Sequence, residues 1–245
     1  MSPSLSGWME IVFDLAYLVI IYALVVLMSA RLSKTGDPRH VLRRFRDGFL
    51  LLALGDTGHV GFRVIALLQG GLEAKAAIGR FSFPLVGVGA LATAITITFL
   101  YLLLLDVWRV HFQEQRPWIF WPLVSVGVVR LLLLLPPENR WADVMPPWDW
   151  SVLRNLPLLV LGLSVAALFI ADGRRRGEKT FVQLGWLIVL SYACYAPVIL
   201  FVQAVPLIGL LMVPKTVVYL VMAWLVYARL FKPTEHHDHP AALAT

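Results

Sequence analysis

Apolar positions run along this chain in long blocks, and polar positions are confined to the gaps between them. A block must hold about 20 residues to cross a bilayer at about 1.5 Å of rise per residue. Seven do: Trp8–Ala30, Phe49–Leu68, Phe83–Trp108, Trp118–Leu135, Val152–Ala171, Phe181–Val202 and Leu210–Leu230. The pattern predicts an all-α protein, a seven-transmembrane-helix bundle over residues 1–232, followed by a disordered tail over 233–245. The first block has no Lys or Arg before it and no small-residue cleavage site after it, so it is expected to be retained as a helix.

Charge orients this bundle. The first, third and fifth connections and the C-terminal end carry 14 of the 21 Lys and Arg residues, and the alternate connections carry Lys75, Arg80 and Arg140. Basic loops stay on the cytoplasmic side, so the N-terminus is expected outside and the C-terminus inside. Trp8, Trp141, Trp148 and Trp150 near one boundary, and Trp108, Trp118 and Trp121 near the other, read as interfacial belts.

Composition sharpens the class. Of 245 residues 59% are hydrophobic and 15% charged, and mean hydropathy is +0.77, a balance that excludes an ordinary soluble domain, a disordered chain or a disulfide scaffold. The net charge of +6 needs no nucleic-acid partner, because anionic headgroups account for basic cytoplasmic loops. The expected location is a bacterial inner membrane.

The chemistry lies in ionisable groups within the spans, where each costs about 2.5–3.5 kcal/mol at mid-membrane. Asp14 (a turn after Glu10), Asp56, His59, Arg63, Arg130, Arg154, Asn155, Lys215, Thr216 and Tyr219 all fall in the outer half once orientation is fixed. A single net-basic polar cavity is predicted there, lined also by Tyr195, with the inner half almost purely apolar. Asp56, His59 and Arg63 share one helix face, with Gly55, Gly58 and Gly61 between them to admit another helix or a ligand. Pro197 and Pro214 are expected to break the sixth and seventh helices beside this cavity.

Three acids facing four bases plus His59 favour an anionic guest, a small molecule or a lipid headgroup, held by Arg63, Arg130 and Lys215. Three alternatives use the same residues. Asp56 and His59 would be the catalytic pair of a membrane-embedded hydrolase that activates water. The charges would pair only with each other and lock the bundle. Or Lys215 would carry a cofactor, as described below. The pattern predicts no metal: only His59 lies at depth, which excludes the seven-span zinc hydrolases with several intramembrane histidines. Asp106 and Arg109 read as an interfacial pair, and the connection 136–151, with two Pro-Pro pairs, as a segment lying on the membrane surface that would act as a lid.

Two resemblances attach to these motifs. Gly55-Asp56-x-x-His59-x-x-x-Arg63, Arg154-Asn155-x-Pro157 and Met212-Val213-Pro214-Lys215-Thr216-x-x-Tyr219 resemble a group of uncharacterised bacterial seven-helix membrane proteins, which brings no activity with it. Helices six and seven also resemble microbial rhodopsins, through Tyr195-Ala196-Pro197 and Lys215. That resemblance implies retinal bound to Lys215 as a Schiff base, although Leu211 stands where the family usually has an acid, and the counterion would have to be Asp14 or Asp56.

Overall fold

The computed structural model describes residues 5–33, 40–69, 71, 73–78, 81–114, 116–143 and 146–231. The predicted tail, 233–245, lies outside these residues. Seven helices follow in order: α1 Leu5–Ser33, α2 His40–Leu68, α3 Leu85–His111, α4 Pro117–Leu133, α5 Trp148–Arg175, α6 Lys179–Phe201 and α7 Met212–Val226, the last running on as a π-turn over Tyr227–Phe231. Six are long and apolar enough to cross a membrane. The seventh, α4, is a shorter apolar helix of 17 residues. The architecture is that of a predominantly helical, multi-pass membrane protein.

Short connections make successive helices antiparallel neighbours. Each helix packs on the next, α7 returns to α1, and α3 also touches α5. The bundle is therefore a closed ring with α3 drawn toward its middle.

Several boundaries differ from the sequence expectation, and three of the differences have a clear physical reason. α2 begins nine residues before Phe49, because Leu42, Phe45, Phe49 and Leu52 form a buried stripe at helical spacing while Arg43, Arg44 and Arg46 lie between them. The predicted third block loses its start to a two-stranded antiparallel hairpin, β1 Lys75–Ile78 and β2 Phe81–Pro84, in which Lys75 faces Pro84 and Ile78 faces Phe81. Phe83 precedes a proline, which disfavours the helical region and holds it extended. α7 starts at Met212 after a 3-10 segment, Pro206–Leu211. Pro214 therefore sits in the first turn of α7, where a missing N–H costs nothing, and does not break a helix as expected. Pro197, by contrast, lies within the continuous α6.

Large apolar side chains such as Val19, Val26, Leu132 and Trp224 are exposed around the ring, as a lipid-facing surface requires. Inside, helices approach through small residues, since lipid offers no hydrophobic drive for packing. A Cβ on Gly55 would lie 1.9 Å from the Thr96 hydroxyl oxygen, and one on Gly89 would lie 2.8 Å from the Gly58 carbonyl. Gly55 and Gly58 thus serve the α2–α3 contact rather than a ligand, whereas Gly61 has open space beside it.

Candidate functional site

The end of the bundle that carries the hairpin, here the hairpin end, holds most of the ionisable groups singled out in the sequence. They form two clusters.

The basic cluster is built on α3, α4, α5 and α6. Arg130, in the last turn of α4, is only 2% exposed. Its Nε donates to the Thr98 hydroxyl on α3 at 2.8 Å, and its Nη1 donates to the Arg154 carbonyl at 3.1 Å and to Asn155 Oδ1 at 3.2 Å. Its Nη2 donates to no described residue. Asn155 Oδ1 also accepts the Tyr195 hydroxyl at 3.1 Å, and Asn155 Nδ2 donates to the Ser151 carbonyl at 2.8 Å. The amide oxygen takes both donors and so holds Arg130 and Tyr195 in register.

Arg154, the residue before Asn155, is also buried. Its Nη1 donates to Asn139 Oδ1 at 3.2 Å, and its guanidinium lies 4.2 Å from the centre of the Trp141 ring. Asn139 is itself tied down, donating to the Leu133 and Pro136 carbonyls at 2.8 and 3.0 Å, and Trp141 Nε1 donates to the Leu134 carbonyl at 3.1 Å. Farther along, Gln203 donates to the Pro146 carbonyl at 2.8 Å and Trp148 to the Leu200 carbonyl at 3.0 Å. The α4–α5 connection is therefore a strap fastened across the basic cluster. Neither arginine forms an ion pair with a carboxylate among the described residues; every acceptor they use is neutral.

Lys215 stands beside this cluster. Its Nζ lies 4.3 Å from the Tyr195 ring centre and 5.5 Å from that of Tyr219, and it makes no hydrogen bond or ion pair with a described residue. The Tyr219 hydroxyl pairs with that of Tyr101 at 3.1 Å, and Tyr192 donates to the Leu158 carbonyl at 2.9 Å. Thr216, expected to shape the pocket, spends its hydroxyl on the Met212 carbonyl of its own helix at 2.9 Å.

The acidic cluster is built on α1 and α2. Tyr17 donates to Asp56 Oδ2 at 2.5 Å, and the Tyr22 and Thr57 hydroxyls meet at 2.9 Å. Asp14 precedes Tyr17 by one turn, while the side chain of Glu10 lies outside the described residues. The expected orientation of His59 by Asp56 is not what the geometry gives. The carboxylate takes the phenol of α1, and no hydrogen bond joins Asp56 to His59 among the described residues. His59 instead lies within the electrostatic reach of Arg63 and Lys215. Asp56 forms no ion pair with a described residue; the cation whose field it feels is Lys215, which also feels Arg130. Lys215 is thus the link between the two clusters.

The opposite end holds a network that sequence reasoning missed by treating that half as apolar. Asp172, buried near the end of α5, accepts Trp108 Nε1 at 2.8 Å, Arg116 Nη2 at 2.6 Å and Arg175 Nη1 at 3.4 Å. Glu114 accepts Arg116 Nε at 2.6 Å and pairs with Arg176 at 3.5 Å. The Glu114 hydrogen bond, aided by Asp172 and opposed by burial, holds the Arg116 guanidinium above its ordinary range. Asp106 accepts from Arg109 at 2.6 Å, as the interfacial-pair reading expected, and from Arg44. Between the two ends lies a dry layer of Leu104, Leu105, Val165, Ile188, Met222 and Val226, all buried.

Of the expected residues, the structure unites Arg130, Arg154, Asn155, Tyr195, Lys215 and Tyr219, and groups Asp14, Asp56, His59 and Arg63 on the α1–α2 side. Thr98, Asn139 and Trp141 were missed as site residues. Thr98 carried one faint signal, a hydroxyl alongside those of Thr93, Thr96 and Tyr101 on a mostly apolar helix; Asn139 and Trp141 belong to a connection whose docking only tertiary structure reveals.

Fold and site together define a helical multi-pass membrane protein with a buried, net-basic polar cluster toward one end. No protein-family model, curated protein or solved structure matches the chain.

Proposed function

We propose that this chain crosses the cell membrane seven times, with its N-terminus outside, and binds an anionic small molecule or lipid headgroup at the basic cluster of Arg130, Arg154 and Lys215. On this reading it groups with the uncharacterised bacterial seven-helix proteins whose motifs it shares, and its membrane is the bacterial inner membrane. At 17 residues α4 spans about 26 Å, the short end of the range for a crossing.

The observation that carries the reading is Arg130: an almost wholly buried guanidinium whose partners are a hydroxyl, a carbonyl and an amide oxygen, with no carboxylate among the described residues to neutralise it. Removing such a charge from water costs several kcal/mol, and a guest anion repays it through charge-assisted hydrogen bonds. The alternative in which the charges merely lock the bundle requires acids to sit on these arginines, and Asp56, the acid expected to share their cavity, is bonded to Tyr17 instead.

Native mass spectrometry of the protein released from a mild detergent tests the proposal. An anionic mass retained by the wild type and lost in Arg130→Gln is expected. Bare protein in both samples, with no binding of added phosphate, overturns it.

A further inference from the structure

The two clusters at the hairpin end have opposite sign and do not neutralise each other. Among the described residues, Arg130 and Arg154 bind only neutral acceptors, and Asp56 accepts only a neutral phenol, Tyr17. Oppositely charged groups in one low-dielectric bundle gain most by pairing, and Arg130, Arg154 and Asp56 form no ion pair with a described residue, so each stands to gain from a charged guest. The Lys215 ammonium lies over the rings of Tyr195 and Tyr219. An ammonium is therefore already accommodated by this aromatic surface.

A simple anion neutralises the arginines and leaves the carboxylate as it was. A guest with a positive group on the far side of its negative one satisfies both halves at once. Resting on the anion-binding reading above, we propose that the guest is dipolar: an oxyanion group directed at Arg130 and Arg154, joined by a short spacer to an ammonium directed at Asp56. The phosphate-plus-ammonium of a phosphoethanolamine group has this chemistry, whether free or at the head of a lipid. Asp56 is then the residue that determines specificity, and Arg130 the one that determines affinity.

Net charge makes the test sharp. Near pH 7.5 inorganic phosphate carries more negative charge than phosphoethanolamine, so a site that reads net charge alone prefers phosphate. A site that reads a dipole prefers phosphoethanolamine.

Isothermal titration of the full chain in detergent with each probe is expected to give phosphoethanolamine an advantage of about tenfold, or about 1.4 kcal/mol. Asp56→Asn is expected to erase that advantage while retaining phosphate binding, which also shows that the variant is folded. Tyr17→Phe, which strips the phenol from the carboxylate, is expected to keep the advantage. Arg130→Gln is expected to lose both probes.

A wild type that prefers phosphate overturns the dipolar guest, as does an advantage that survives Asp56→Asn; phosphate binding lost in Arg130→Gln would still support the anion site beneath it. Failure of both probes to bind the wild type overturns the two readings together. Given the advantage, lysophosphatidylethanolamine binding much more tightly than phosphoethanolamine identifies a lipid as the source, and equal affinity identifies a free solute.

Discussion

Arg130 Nη1 and the Tyr195 hydroxyl converge on one atom, Asn155 Oδ1, at 3.2 and 3.1 Å. A helix-four guanidinium and a helix-six phenol are thereby placed by a single neutral amide on helix five. Asn155→Leu removes the acceptor from both donors and is expected to destabilise the fold by about 1–3 kcal/mol. Asn155→Asp gives Arg130 the carboxylate it lacks. It is expected to retain thermal stability while losing the bound anion, and native mass spectrometry with a melting curve separates the two effects.

The strap over Arg154 is held by Asn139, whose amide donates twice to the end of α4 and its following turn. Arg140, next to it, is exposed and in the left-handed region at φ 46°. Asn139→Ala is expected to free this turn and to raise the rate of tryptic cleavage after Arg140 several-fold. A digestion time course on folded protein checks it; an unchanged rate shows that the contacts of Trp141, Trp148 and Gln203 hold the strap without Asn139.

Close packing of α2 on α3 makes two glycines unequal. Gly55→Ala places a methyl against Thr96 and is expected to cost about 1–3 kcal/mol through overpacking. Gly61→Ala meets open space and is expected to be neutral or to gain about 0.5–1 kcal/mol from helix propensity. Thermal unfolding followed by size-exclusion chromatography distinguishes them.

Asp172 closes the opposite end by accepting from Trp108, Arg116 and Arg175. Asp172→Leu leaves the Arg116 guanidinium with Glu114 alone and orphans the Trp108 indole. A loss of about 3–5 kcal/mol is expected, the scale of breaking a buried charged network from one side. Phosphate affinity measured on the surviving folded fraction is expected to be unchanged, since the dry layer separates Asp172 from Arg130.

Orientation has its own test. Single cysteines at Lys75 and Arg174, in a Cys194→Ala background, are expected to react with a membrane-impermeant maleimide only from outside and only from inside, respectively. Labelling of both from one side would remove the seven-crossing topology, because the two positions lie at opposite ends of the bundle.

The helices were legible because an apolar run of 20 residues has few other uses. What escaped was set by contacts between distant segments. The hairpin replaced the start of a predicted helix because Phe83 precedes a proline within a run that is otherwise uniformly apolar. Arg130, Arg154 and Lys215 were legible as charges in an apolar setting, and depth alone brought them together. Their neutral partners were not legible, since Thr98 and Asn139 acquire meaning only when α4 and its connection dock. His59 and Asp56 share a helix face, as the spacing required, yet a phenol from α1 intervened. Asp172 was passed over because a carboxylate beside three arginines reads as solvated, and only the fold turns it inward.

The dry layer has a mechanical consequence. Thr98 and Tyr101 belong to the hairpin-end polar groups and Trp108 to the opposite network, and all three ride on α3. Asn155 and Asp172 do the same on α5, which α3 touches directly. Tyr101 and Trp108 are about 10 Å apart along the helix axis at ordinary rise, with Leu104 and Leu105 between them. Water and ions have no polar footing in that interval. A guest arriving at Arg130 therefore has no polar path to Arg116: α3 and α5 are two rods joined by polar fasteners at both ends and greased in between.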